Sequence, residues 1–110
     1  MEPDQRTEQD LGEAVNGFDY TSARWRRLRR SVLVAADYRC QYWKRYGKMV
    51  EADRVHHIWP VEDYPQYAWC RWNLIALSFE AHMMMHRPGG YGLSELGEAL
   101  KRRTIPPDRR

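Results

Sequence analysis

The 110-residue chain has no apolar run approaching the roughly 20 residues that span a bilayer, so no membrane partner is expected. It has only two cysteines, Cys40 and Cys70, and neither belongs to a C-x-x-C pair. The first ten residues, MEPDQRTEQD, are acidic and polar and lack the apolar stretch of a secretory signal. Two cysteines without an export signal are expected as free thiols, and cytoplasmic residence follows as the default. Internal repeats and low-complexity blocks are also missing. With 43% hydrophobic and 30% charged residues, what remains is one globular domain with a modest core.

The net charge of +3 conceals an asymmetry. Residues 1–20 hold six acidic side chains and one base, Arg6. Removing them from the 18 basic and 15 acidic residues of the whole chain leaves 17 against 9. A basic body behind an acidic arm, expected as loosely ordered, fits a binder of phosphate backbones. A well-solvated surface would look the same.

The apolar pattern starts at Thr21-Ser22, either of which can cap a helix through ARWRRLRRSVLVAA. Trp25, Leu28, Val32 and Ala35-Ala36 form its core stripe. Arg24, Arg26, Arg27 and Arg30 occupy the rest, with Arg29, and are the candidates for phosphate contact. Tyr38 to Tyr46 reads as aromatic and irregular, and Gly47-Lys48 as a turn. Met49 to Ile58 has the alternation of a hairpin strand that Pro60 stops. VEDYPQYAWCRW is a loop, Asn73 to Leu77 a short strand, and SFEAHMMMH a helix capped by Ser78 and ended by Pro88-Gly89-Gly90. A last helix starts at Ser94 with Leu96 and Leu100 inward. The order is helix, strand, strand, helix, helix, an α+β domain over 21–103 followed by a basic tail at 104–110.

All four histidines lie between positions 56 and 86. His56 and His57 are adjacent on a strand, so their side chains point to opposite faces or splay at a twist. His82 and His86 are four apart and share one face of a helix. Imidazole suits first-row divalent ions, and its ordinary pKa suits proton abstraction at neutral pH. Four histidines in one short region point to a metal site beside a general base.

VHHIWP, then NLIAL, then AHMMMH, with sixteen positions from His57 to Asn73 and nine from Asn73 to His82, resembles the HNH endonucleases, also called the ββα-metal or His-Me finger family. WRRLRRSVLVAADYRCQ, KRYGK and DYPQYAWCRWNLIALSFEAH extend the likeness to the small phage and prophage branch, over roughly residues 20–103. The resemblance implies a ββα-metal core flanked by a basic N-terminal helix and a C-terminal helix. It implies His57 as general base, Asn73 as the residue that holds the catalytic loop and orients the base, and His56 and His82 as metal ligands. His86 either completes the metal site or contacts phosphate. One divalent ion, magnesium, manganese, nickel or zinc, would lie on the scissile phosphate of double-stranded DNA, and the products would carry a 5′ phosphate and a 3′ hydroxyl. The helix bearing His82 would lie in or beside the minor groove. The implied setting is a bacterial or phage-infected cell.

Two departures stand out. Many members carry two C-x-x-C pairs around a structural zinc, but the equivalent places read Cys40-Gln41-Tyr42-Trp43 and Ser78-Phe79-Glu80-Ala81. One cysteine cannot build a tetrahedral site, so no structural zinc is expected. Trp43, Trp59, Trp69, Trp72 and Phe79 are expected to fill the core instead. Met83 follows the last motif histidine where relatives often have asparagine. It keeps open a second reading, a catalytically weak or inactive DNA-binding accessory protein of a phage packaging or DNA-processing machine, with terminase-type proteins as partners.

Overall fold

A computed structural model describes residues 18–110; most of the acidic arm, residues 1–17, lies outside the described residues. Helix α1 spans Ala23–Ala35. Of the two candidate caps, Ser22 starts it, its hydroxyl accepting from the Trp25 amide at 3.1 Å. Trp25, Val32 and Leu33 are buried, and Leu28 packs partly against the core. Leu33 takes the place that the stripe assigned to Ala35, which is exposed. Asp37 and Tyr38 end the helix with positive φ of 55° and 53°. Their amides bond back to Val34 and Leu33, which turns the chain sharply onto the sheet.

The stretch 38–46 is less irregular than its composition suggests. It contains a four-residue helix, α2, Gln41–Lys44, enclosed by an antiparallel bridge between Arg39 and Glu51. The Cys40 amide donates to Val50 and the Ala52 amide to Tyr38, each at 2.7 Å. The hairpin strand expected over 49–58 is therefore split. Its first half pairs with the approach to α2, and only Arg54–His57 forms β1. Strand β2, Leu74–Leu77, pairs antiparallel with β1, with Arg54 opposite Leu77 and His57 opposite Leu74.

Helix α3 covers Phe79–Met84 under a cap from Ser78. It is shorter than the sequence pattern, because the chain leaves the helix at Met85 and His86 bridges to Leu93 instead. Helix α4, Glu95–Arg103, starts at a Ser94 cap, and Leu96 and Leu100 pack against the core as expected. Its Gly97 is required. A Cβ there would lie 2.3 Å from the Met85 carbonyl oxygen. The chain after α4 folds back: the Trp59 indole donates to Thr104 at 2.7 Å, and Tyr67 donates to Asp108 at 2.9 Å.

Helices α1 and α3 both pack on the two-stranded sheet. Cys40, Ala76, Leu77, Ala81 and Met85 fill the centre with 2% exposure or less. Of the positions that would bear zinc cysteines, Cys40 and Ala81 are core residues and the Ser78 hydroxyl caps α3. Trp43 and Trp69 pack at the margin of this core, Trp59 and Trp72 instead join Tyr64 and Tyr67 in a separate ring cluster under the C-terminal segment, and Phe79 is 52% exposed.

Candidate active site

Strand β1 places His56 and His57 back to back, and they enter different surroundings. His56 is 1% exposed. Its ring centroid lies 5.2 Å from that of His82 and 5.3 Å from that of His86, and those two are 5.1 Å apart. One ring nitrogen from each of the three falls within 4.8 Å of the others. The structure thus brings together the two residues expected as ligands and the one whose part was open. Among the described residues, the buried His56 Nε2 atom has no hydrogen-bond partner. A buried nitrogen left unpaired is costly unless something binds it. Three imidazoles around one point are a donor set that fits a divalent first-row ion.

Burial and neighbouring charge disfavour protonation of His56 and His82. Burial, then the neighbouring His82, His86 and His57, holds His56 well below the ordinary imidazole value. Burial, followed by His86, Arg54 and His57, brings His82 to about 4, with Asp53 opposing weakly. Lone pairs are therefore available to a metal at neutral pH.

His57 sits among aromatic rings. Trp25 stacks on it at 5.1 Å and 21°, and Phe18 meets it edge-on at 5.2 Å. Its Nε2 lies 3.0 Å from the Ala68 carbonyl oxygen and its Nδ1 lies 3.5 Å from the Tyr20 hydroxyl. A carbonyl only accepts, so the neutral ring carries its proton on Nε2 and its lone pair on Nδ1. Burial lowers the His57 pKa, and the Ala68 hydrogen bond pulls it partly back. Tyr20, His56, His57, His82 and His86 line one cleft of about 360 Å³, together with Glu62 and Tyr91.

Asn73 is fully buried at the entrance to β2. Its side-chain oxygen accepts from the Trp59 amide at 2.6 Å, and its amide donates to the carbonyls of Trp59 at 3.0 Å and Tyr67 at 3.2 Å. It ties the loop after β1 to β2. Its link to His57 runs through that loop, since Tyr67 precedes the residue whose carbonyl holds the imidazole.

The four arginines expected at phosphate divide. Arg26, Arg27 and Arg30 line an open groove of about 650 Å³ between α1 and residues 51–53, together with Arg29. Arg26 also donates to the Thr21 carbonyl, and Arg29 to that of Asp53 at 2.7 Å. Arg24 lies elsewhere, with its guanidinium 3.8 Å above the Trp69 ring. Sequence reading missed Phe18 and Tyr20, which it assigned to the acidic arm, as well as Glu62 and Tyr91. The aromatic pair in Phe18-Asp19-Tyr20 was the available signal, because a solvated arm has no use for two large rings.

Two antiparallel strands followed by a helix, with imidazoles converging from the first strand and that helix, define a ββα-metal fold. No protein-family model matches the sequence, and no curated protein matches it. Among solved structures, the chain is similar to the HNH endonuclease of the deep-sea thermophilic bacteriophage GVE2, crystallised with a manganese ion. The two share 31% identity over 58% of this chain and 70% of the other, with a TM-score of 0.56. The chain belongs to the HNH endonuclease family.

Proposed function

We propose that the protein is a metal-dependent endonuclease that hydrolyses phosphodiester bonds in double-stranded DNA, with residues 21–103 as the nuclease domain. The observation that carries this reading is the shared cleft: a three-imidazole cluster with an unpaired buried nitrogen beside a histidine whose Nδ1 lone pair is free to take a proton. His57 acts as the general base. The proton of an attacking water moves to Nδ1 while Ala68 keeps hold of Nε2–H, so the imidazolium that forms is stabilised in place. The water oxygen bonds to phosphorus, the bond from phosphorus to the 3′ oxygen breaks, and the leaving oxygen takes a proton from solvent. A divalent ion held by His56, His82 and His86 would supply Lewis-acid stabilisation of the phosphate and leaving oxygen. All-imidazole ligation suits nickel or zinc better than magnesium, which prefers oxygen donors. Asn73 acts at one remove, holding the loop that holds His57. Arg26, Arg27 and Arg30 contact the phosphate backbone beyond the cleft, and Arg24 contributes from its seat on Trp69.

The test is plasmid cleavage across a panel of divalent ions, run on the parent chain and on His57→Ala. Cleavage should need the ion, stop with a chelator, and fall by about a hundredfold or more in the variant, with DNA affinity unchanged. Tight binding by the parent with no cleavage under any ion would instead favour the accessory DNA-binding reading that Met83, an exposed residue beside His82, leaves open.

A further inference from the structure

Tyr20 stands at the one nitrogen of His57 that can take a proton. Ala68 occupies Nε2, so the lone pair on Nδ1 is the working one, and the Tyr20 hydroxyl faces it at 3.5 Å. That separation is long for a direct hydrogen bond from a hydroxyl, for which about 2.7–2.8 Å is usual between oxygens. Two atoms so spaced are both within reach of a single water, at about 2.8–3.0 Å from each. The Tyr20 ring is held on edge by Phe18 at 4.7 Å and Trp25 at 5.6 Å, yet remains 41% exposed and lines the cleft that contains the imidazole cluster.

We propose that Tyr20 is a positioning residue for the nucleophile: its hydroxyl oxygen and His57 Nδ1 form a two-point seat for the attacking water. A water that donates one O–H to Nδ1 and the other to the Tyr20 oxygen keeps its lone pairs for phosphorus. His57 alone would take the proton but would leave the water free to rotate about a single hydrogen bond. Tyr20 removes that freedom, so its contribution belongs to turnover and not to substrate affinity.

The role rests on the nuclease reading above, but the seat is a property of the metal-free protein as well. Tyr20→Phe keeps the ring and its packing and removes only the oxygen. In steady-state cleavage, kcat is expected to fall about tenfold, the scale of one lost hydrogen bond, with KM for DNA, metal affinity and melting temperature unchanged. An unchanged kcat would overturn the proposal. A raised kcat would too, because it would make Tyr20 a plug. So would a loss matched by a lower melting temperature. Crystal structures of the DNA-free parent and of Tyr20→Phe supply the second readout. The parent is expected to show one ordered water bridging Tyr20 and Nδ1 that the variant lacks. A parent structure with the hydroxyl bonded directly to Nδ1 and no water between them would sink the seat, whether or not the chain cuts DNA. Failure of the parent to cleave would count against the nuclease reading alone.

Discussion

Asn73 shows how much one buried amide can control. It satisfies three backbone groups at once, the amide and carbonyl of Trp59 and the carbonyl of Tyr67. Replacing it with alanine strips the half-buried Trp59 amide and carbonyl of their partner and leaves the Tyr67 carbonyl only its bond from the Cys70 amide, which is expected to cost about 3 kcal/mol of stability, read as a lower urea midpoint. The same change releases the loop that carries Ala68, so kcat should fall even in conditions where the variant is fully folded. An Asn73→Ala chain with parental stability would contradict the hydrogen-bonding role. The motif spacing identified this residue, but its partners were illegible. They are backbone groups six and fourteen positions away, and nothing in their side chains marks them.

At the scale of elements, α4 packs against Met85, the residue before His86. Gly97 lets the helix start against the Met85 carbonyl, which also accepts from the Ser94 amide at 2.9 Å. A helical Gly→Ala change ordinarily stabilises by roughly 0.4–1 kcal/mol where the space is open. Here the added methyl would meet backbone at 2.3 Å, and overpacking of that kind costs roughly 1–3 kcal/mol. The steric effect wins. Gly97→Ala should lower the melting temperature, and by shifting Met85 it should move His86 away from His56 and weaken metal binding roughly tenfold. Calorimetric titration with manganese checks the second effect, and parental affinity would show that α4 does not set the third ligand. The caps at Ser22, Ser78 and Ser94 were readable because capping is local chemistry. The early end of α3 was not. An i, i+4 histidine pair looks helical, and only the Leu93 bridge pulls His86 out of the helix.

For the whole molecule, the buried histidines make the metal-free fold sensitive to acid. The folded-state pKa of His82 is about 4 against 6.5 for an unconstrained imidazole, and His56 and His57 are lowered too. Between about 6.5 and 4 the unfolded chain therefore binds more protons than the folded one, and stability drops as pH falls through that window. Thermal melts in chelator should be flat above about pH 7 and shift to lower temperature on acidification. A melting temperature that rises toward pH 5 would mean that the histidines gain protons on folding. On the proposed metal reading, saturating manganese should raise the melting temperature at neutral pH, because the three imidazoles converge only in the folded chain.

By itself the sequence determined where the candidate site lies. Adjacent histidines, an asparagine sixteen positions on and a histidine nine further are a one-dimensional pattern, and the α+β order follows from periodicity and caps that each read a few neighbouring residues. Only the tertiary structure decided how that chemistry is arranged. It brought His86 to His56 and His82, turned the Nδ1 of His57 toward Tyr20, separated Arg24 from the other arginines, and laid Phe18 and Tyr20 against His57 from 37 or more residues away. Such contacts join segments whose local patterns carry no record of one another. A tyrosine in an acidic stretch looks like solvent-facing chain until packing shows which nitrogen it faces.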